Sequence, residues 1–155
     1  MDVFTEICAL LDRNGVSYDA STHAPARTSQ EAAAIRGVHI KTGAKAMLIR
    51  SEGAFTLFIL SAEDKMDFKK IKEILGTKST TLATSEEVER ITHCVPGCVP
   101  PFGSLFGTTT YVDEHLLEIP EINFSAGRLT HSIHMKTEDW KRIEKPFAQE
   151  FCDKR

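Results

Sequence analysis

The chain has 155 residues, 41% of them apolar and 26% charged, which is enough to bury one core without staples and too few for two full domains. A formal net charge of −3 excludes a broad grip on nucleic acid, which needs clustered Lys and Arg, and the apolar runs are far too short to cross a bilayer as a helix. Residues 1–155 therefore read as a single domain, and with no basic and apolar leader in Met1–Glu6 it is expected in the cytosol, with Cys8, Cys94, Cys98 and Cys152 reduced.

Val3, Phe4, Ile7, Leu10 and Leu11 recur at helical spacing before Gly15, so the chain opens with an amphipathic helix. Thr28 and Glu31 form a capping box ahead of a short helix through Ala32–Ile35 that stops at Gly37. A β-hairpin follows, Ala44–Arg50 and Ala54–Leu60 around a turn at Ser51–Gly53. Phe68, Ile71, Ile74 and Leu75 mark a second amphipathic helix closed by Gly76, and the Thr84/Glu87 capping box heads another through Val88 and Ile91. Ser79–Leu82, Thr108–Val112, Ile119–Phe124 and Leu129–Met135 are short and strand-like, and a last helix begins at Thr137. The mixture, without an internal repeat, predicts an α+β domain with a mixed, mostly antiparallel sheet flanked by helices.

Two features point to chemistry. The first is the segment Val95–Gly103, where Pro96, Pro100 and Pro101 fix the backbone while Gly97 and Gly103 permit turns and close approach. Such a loop either makes a rigid turn or converges the amides of Gly97, Cys98 and Val99 on an anion. The second is Lys45. Strand alternation puts it on one face with Met47 and Ile49, where an ammonium is costly unless a phosphate, a carboxylate or a carbonyl meets it, or its long stem reaches water.

Gly43-Ala44-Lys45-Ala46, the Gly97-x-x-x-Pro101 element running on as Phe102-Gly103, and Phe124-Ser125-Ala126-Gly127 leading to Ser132-Ile133 and a final helix resemble the YbaK/ProX family. These are aminoacyl-tRNA deacylases related to the editing domain inserted in bacterial prolyl-tRNA synthetase. The resemblance extends from His23–Thr28 to the helix near Trp140. It implies a trans-editing hydrolase that cleaves the ester of a small amino acid, such as alanine, cysteine, serine or threonine, from the 3′ end of a mischarged tRNA, with proline tRNA as the acceptor. Lys45 falls on the family's essential lysine, and Gly97, Cys98, Val99 and Pro101 on the loop whose amides take the ester carbonyl. His23, Thr28, Phe102, Gly103, Ser125, Ala126, Gly127 and His131 are the implied substrate-binding positions. The implied partners are the aminoacyl-tRNA acceptor end and an aminoacyl-tRNA synthetase, with no cofactor and no metal. Ser125 stands where many members carry Asn, which bears on the choice of substrate.

An aminoacyl ester is already activated, so a positioned water and a stabilised oxyanion suffice without a protein nucleophile, and neither a Gly-x-Ser-x-Gly elbow nor a metalloprotease signature is present. Three other readings compete. A non-catalytic module would bind a tRNA end or a synthetase without releasing amino acid. His93, Cys94 and Cys98 with Cys8 suggest a metal site, but the spacing lacks the paired short intervals of structural zinc, and the Cys94/Cys98 pair lacks the two-residue spacing of a redox motif. His131 and His134 fall on opposite faces of one strand, so they cannot share a site.

Overall fold

The computed structural model describes residues 1–153. Helix α1 (Val3–Arg13) buries Val3, Ile7 and Leu11. Helix α2 (Ser29–Arg36) starts where the Thr28 hydroxyl accepts the Glu31 amide and ends at Gly37, φ +69°. The Glu31 carboxylate reaches one residue further back than a capping box requires, to the Arg27 amide at 3.0 Å. Strands β2 (Ala44–Ser51) and β3 (Ala54–Ser61) form the expected hairpin in register Ala44↔Ser61, closed by Glu52 and Gly53, both at positive φ as a tight hairpin turn demands. Then come α3 (Phe68–Leu75), β4 (Thr81–Leu82) and α4 (Ser85–Thr92), whose Thr84/Glu87 capping box forms in full. Strand β5 (Thr109–Asp113), α5 (Glu114–Leu117), β6 (Glu121–Ser125), β7 (His131–Lys136), α6 (Thr137–Glu144) and β8 (Phe147–Gln149) complete the order, with β1 (Tyr18–Thr22) between α1 and α2.

The fold is α+β as expected, with two sheets in place of one. The smaller is antiparallel, in order β1-β7-β6; the larger runs β4-β2-β3-β5-β8, with β5 parallel to both its neighbours and the other pairings antiparallel. Strands β1 and β8 and the single turn α5 were not expected. Both strands are almost wholly exposed, so they carry no apolar alternation for a sequence reading to find.

The larger sheet is covered on both faces, which explains why β3 reads as the continuous apolar run Leu57-Phe58-Ile59-Leu60. Leu57 and Ile59 enter the main core, with α1, Phe102, Phe124 and Trp140. Phe58 and Leu60 enter a smaller core against Ile71 and Phe151. The sheets meet at Gly43, which bridges to Asn123 and whose carbonyl accepts the Ala62 amide at 2.8 Å. A Cβ on Gly43 would stand 3.0 Å from the Ala62 Cβ, so the joint favours glycine.

Trp140, fully buried on α6, donates its indole N–H to the Pro101 carbonyl at 2.8 Å and so ties the proline loop to the core. Trp140→Phe preserves most of the buried area and orphans that carbonyl. It should lower the unfolding free energy by about 1–3 kcal/mol, read from urea titration.

Candidate functional site

The cleft beside the joint has a volume of about 180 Å³. One wall is the face of α2 that carries Ala32, Ala33 and Arg36. Opposite it lie the start of β2 and the tip of the proline loop, and β6 forms the floor. Helical spacing explains the first wall, because residues three and four apart share a face. Ala44, Ala46, Ala62 and Gly43 keep the interior narrow and smooth.

Lys45 stands at the second position of β2, on the face shared with Met47 and Ile49, as alternation predicts. Its ammonium donates to the main-chain carbonyl of Asp64 at 3.0 Å. Burial lowers its pKa from the ordinary 10.5; nearby Cys152 and Asp64 pull it back, and Lys65 pushes it further down.

The proline loop offers two amides where three were expected. The Cys98 amide donates to Val95 O at 3.0 Å and closes a turn, whereas the amides of Gly97 and Val99 have no partner among the described residues. Gly97, at φ +91°, gives the backbone its turn toward the cleft. The carbonyl of Cys98 accepts the Gly127 amide at 3.0 Å, and its side chain lies in the core.

Of the residues singled out in the sequence, the cleft brings together Thr28, Lys45, Gly97, Val99 and Ser125. Cys98, Pro101, Phe102, Gly103, Ala126 and Gly127 stand behind it. Phe102 packs edge-on against Phe124, which itself lines the cleft. A Cβ on Gly103 would fall 2.2 Å from the Thr110 hydroxyl, and one on Gly127 2.9 Å from Val3 Cβ, so both glycines serve close backbone contact. His131 lies away from the cleft: its ring meets Phe4 edge-on at 4.7 Å and its Nδ1 pairs with the Thr130 hydroxyl. The apolar flank of α1 draws it there.

The sequence reading missed the polar floor. Arg36 donates through Nε to Ser132 Oγ at 2.8 Å, through Nη1 to Asn123 Oδ1 at 2.7 Å and through Nη2 to Ser125 Oγ at 3.2 Å. Asn123 donates in turn to the Thr42 hydroxyl at 2.7 Å. His23 joins from below. Its Nδ1 sits 2.7 Å from Ala24 O and must carry the proton, which leaves Nε2 to accept from the Ser132 hydroxyl at 2.6 Å. Burial alone brings the Arg36 pKa down to about 10.

The lining contains Arg27, Arg36 and Lys45 and no carboxylate or thiol. His39 is the sole imidazole of the lining, and its Nδ1 already accepts the Lys41 amide. The cleft thus suits an anionic or carbonyl-bearing ligand and lacks a paired nucleophile and base.

Residues with metal-ligand spacing lie elsewhere. Among the described residues they are Glu63–Asp64–His115 and Asp64–Asp113–Cys152, in place of the His93, Cys94 and Cys98 set. Asp113 there caps the His115 amide and holds the Phe151 amide, and Asp64 pairs with His115 at 2.9 Å, so the cluster has a structural role. No helix among the described residues is long and apolar enough to cross a membrane.

Residues 23–143 match the family model described as the aminoacyl-tRNA editing domain. The chain is 32% identical over 145 residues to the multifunctional Ser/Thr-tRNA deacylase ProXp-y of Escherichia coli K12, covering 90% of this chain and 87% of that protein. It is also 33% identical over 82 residues to the proline–tRNA ligase of Bacillus licheniformis, covering 52% of this chain and 14% of the ligase. The crystal structure of a candidate trans-editing enzyme for prolyl tRNA synthetase superposes with a TM-score of 0.86 at 23% identity, over 99% of each chain, and shows the same fold.

Burial raises the thiols of Cys98 and Cys152 and brings Cys94 up to about 11, and all three side chains are buried. A thiol reagent at pH 8 should therefore leave Cys94, Cys98 and Cys152 unmodified in the native protein and label all of them in guanidinium. Fast native labelling of the Cys94/Cys98 pair would revive the thiol reading.

Proposed function

Because the chain belongs to the aminoacyl-tRNA editing domain family, we propose that it hydrolyses the ester bond of mischarged aminoacyl-tRNA in trans and removes serine or threonine. The single observation that carries the mechanism is the pair of unpartnered amides, Gly97 and Val99, on the same cleft as the half-buried ammonium of Lys45.

With no side-chain hydroxyl of the cleft paired to a base, the attacking group is water. Its addition to the ester carbon puts negative charge on the former carbonyl oxygen, and two rigid main-chain donors stabilise that charge without reorganising. The prolines on either side of these donors hold them in place before the substrate arrives. Lys45 anchors the acceptor end while its other bond, to Asp64 O, sets where the ammonium sits. Arg27, exposed at the mouth, is placed for a backbone phosphate, and the alanine-lined interior admits a small amino acid. A net charge of −3 makes the affinity for tRNA modest and salt-sensitive. Proline tRNA as the acceptor and a synthetase as partner rest on the likeness to the proline–tRNA ligase and belong to the same proposal.

Lys45→Ala should leave the fold intact and lower release of labelled amino acid from Ser-tRNA by about a hundredfold or more. Full activity in that variant would remove the lysine from the mechanism. Binding of Ser-tRNA by the native chain without release would favour the non-catalytic module.

The native enzyme should also lose activity on the alkaline side before the ordinary lysine value of 10.5, after subtraction of uncatalysed ester hydrolysis. The sign follows from the lowered value: the folded form releases the Lys45 proton first. The cost of burying the charge is present in full at lower pH, and it fades as pH rises through the window between the folded and unfolded values.

A further inference from the structure

Arg36 is a cation that the fold places in the cleft and leaves without a counter-ion. Its hydrogen-bond partners are the neutral oxygens of Ser132, Asn123 and Ser125, and no carboxylate pairs with it among the described residues. A guanidinium carries five N–H donors. The three contacts use one on Nε, one on Nη1 and one on Nη2, so among the described residues one donor on each terminal nitrogen is unclaimed.

The helix that bears Arg36 presents Ala32 and Ala33 on the same face, and both line the cleft, so the neighbours of the guanidinium on its own helix are only methyl groups. The Ser125 hydroxyl beside it accepts only the long 3.2 Å contact from Nη2 and can turn its own proton toward the cleft. A group entering here meets unclaimed charged donors and a hydroxyl that gives or takes a proton. A ligand hydroxyl complements that set, accepting from guanidinium and exchanging a hydrogen bond with Ser125. A methyl group in the same place leaves those donors unanswered. Behind Arg36, the chain from His23 through Ser132, and the bond from Asn123 to Thr42, hold the guanidinium in one orientation.

Resting on the deacylase reading above, we infer that Arg36, with Ser125, recognises the side-chain hydroxyl of the esterified amino acid and is the residue by which the cleft prefers serine and threonine to alanine.

The test uses the full chain and one tRNA charged in turn with Ser, Thr or Ala, with kcat and KM measured for the native protein, Arg36→Met, Arg36→Lys and Ser125→Ala. The native protein should favour Ser-tRNA over Ala-tRNA in kcat/KM by about tenfold or more, the range open to a well-placed hydrogen bond. Arg36→Met should collapse that ratio toward one, chiefly through KM for the seryl and threonyl substrates. Arg36→Lys retains a charged donor and should recover part of the preference, and Ser125→Ala should weaken it. An unchanged Ser/Ala ratio in Arg36→Met, whatever the overall loss, would assign the residue to structure alone and overturn the inference. If Arg36→Met fails to fold, the same ratio in Arg36→Lys and Ser125→Ala decides, and a native ratio retained in both overturns it. Native activity without preference for Ser over Ala overturns this inference and leaves the deacylase reading standing. Native failure on all the substrates overturns both.

Discussion

The contact between Gly43 and Asn123 is the constraint on which the rest of this molecule depends. It joins the edge strand of the smaller sheet to the start of the larger one through a main-chain bridge, and the missing side chain at Gly43 lets Ala62, just past β3, close against the same residue. The start of β2, with Lys45, thereby opens beside the end of β6, with Ser125. The cleft exists because two sheets with separate hydrogen-bond ladders meet at one corner. A single continuous sheet would have carried these residues apart along its strands.

Rigidity comes to the site from behind. Among the bonds that fasten the proline loop are the Val95–Cys98 turn, the Cys98 carbonyl to the Gly127 amide, and the Pro101 carbonyl to the Trp140 indole. Each satisfies a loop group that would otherwise be left without a partner, and none engages the amides of Gly97 and Val99, which line the cleft. Family motif residues such as Gly103 and Gly127 thus act through backbone fit and do not touch the cleft.

Local physics made much of this legible beforehand. The hairpin, both helix-capping threonines, the stop glycines at Gly37 and Gly76, and the face on which Lys45 sits follow from spacing and turn chemistry, which act within a few residues. What escaped depends on distant partners. Strand β1 forms because β7 pairs with it, although its own residues stay wet. Arg36, in the last turn of an alanine-rich helix, looks in sequence like a cation placed for the helix dipole, and nothing local says that it reaches β6 and β7. Asn123 did give a signal, an amide inside the run Ile122-Asn123-Phe124, since a buried polar side chain needs a partner. The Cys98 amide could not be excluded from the loop's donors without knowing that Val95 turns back on it.

Residues 151–153 have a bearing on how firmly Lys45 is seated. Phe151 fills the smaller core against Phe58, its carbonyl takes the Asp67 amide, Cys152 bridges to Met66, and the Asp153 amide reaches Lys65 O. These late residues clasp the segment on either side of Lys65, and the Asp64 carbonyl next to it holds Lys45. The lysine and the residues that steady its anchor stand more than a hundred positions apart in the sequence. Fraying of that clasp would leave the ammonium without a fixed seat while the walls of the cleft stayed in place, so residues 151–153 act as a remote fastening for a side chain on another strand.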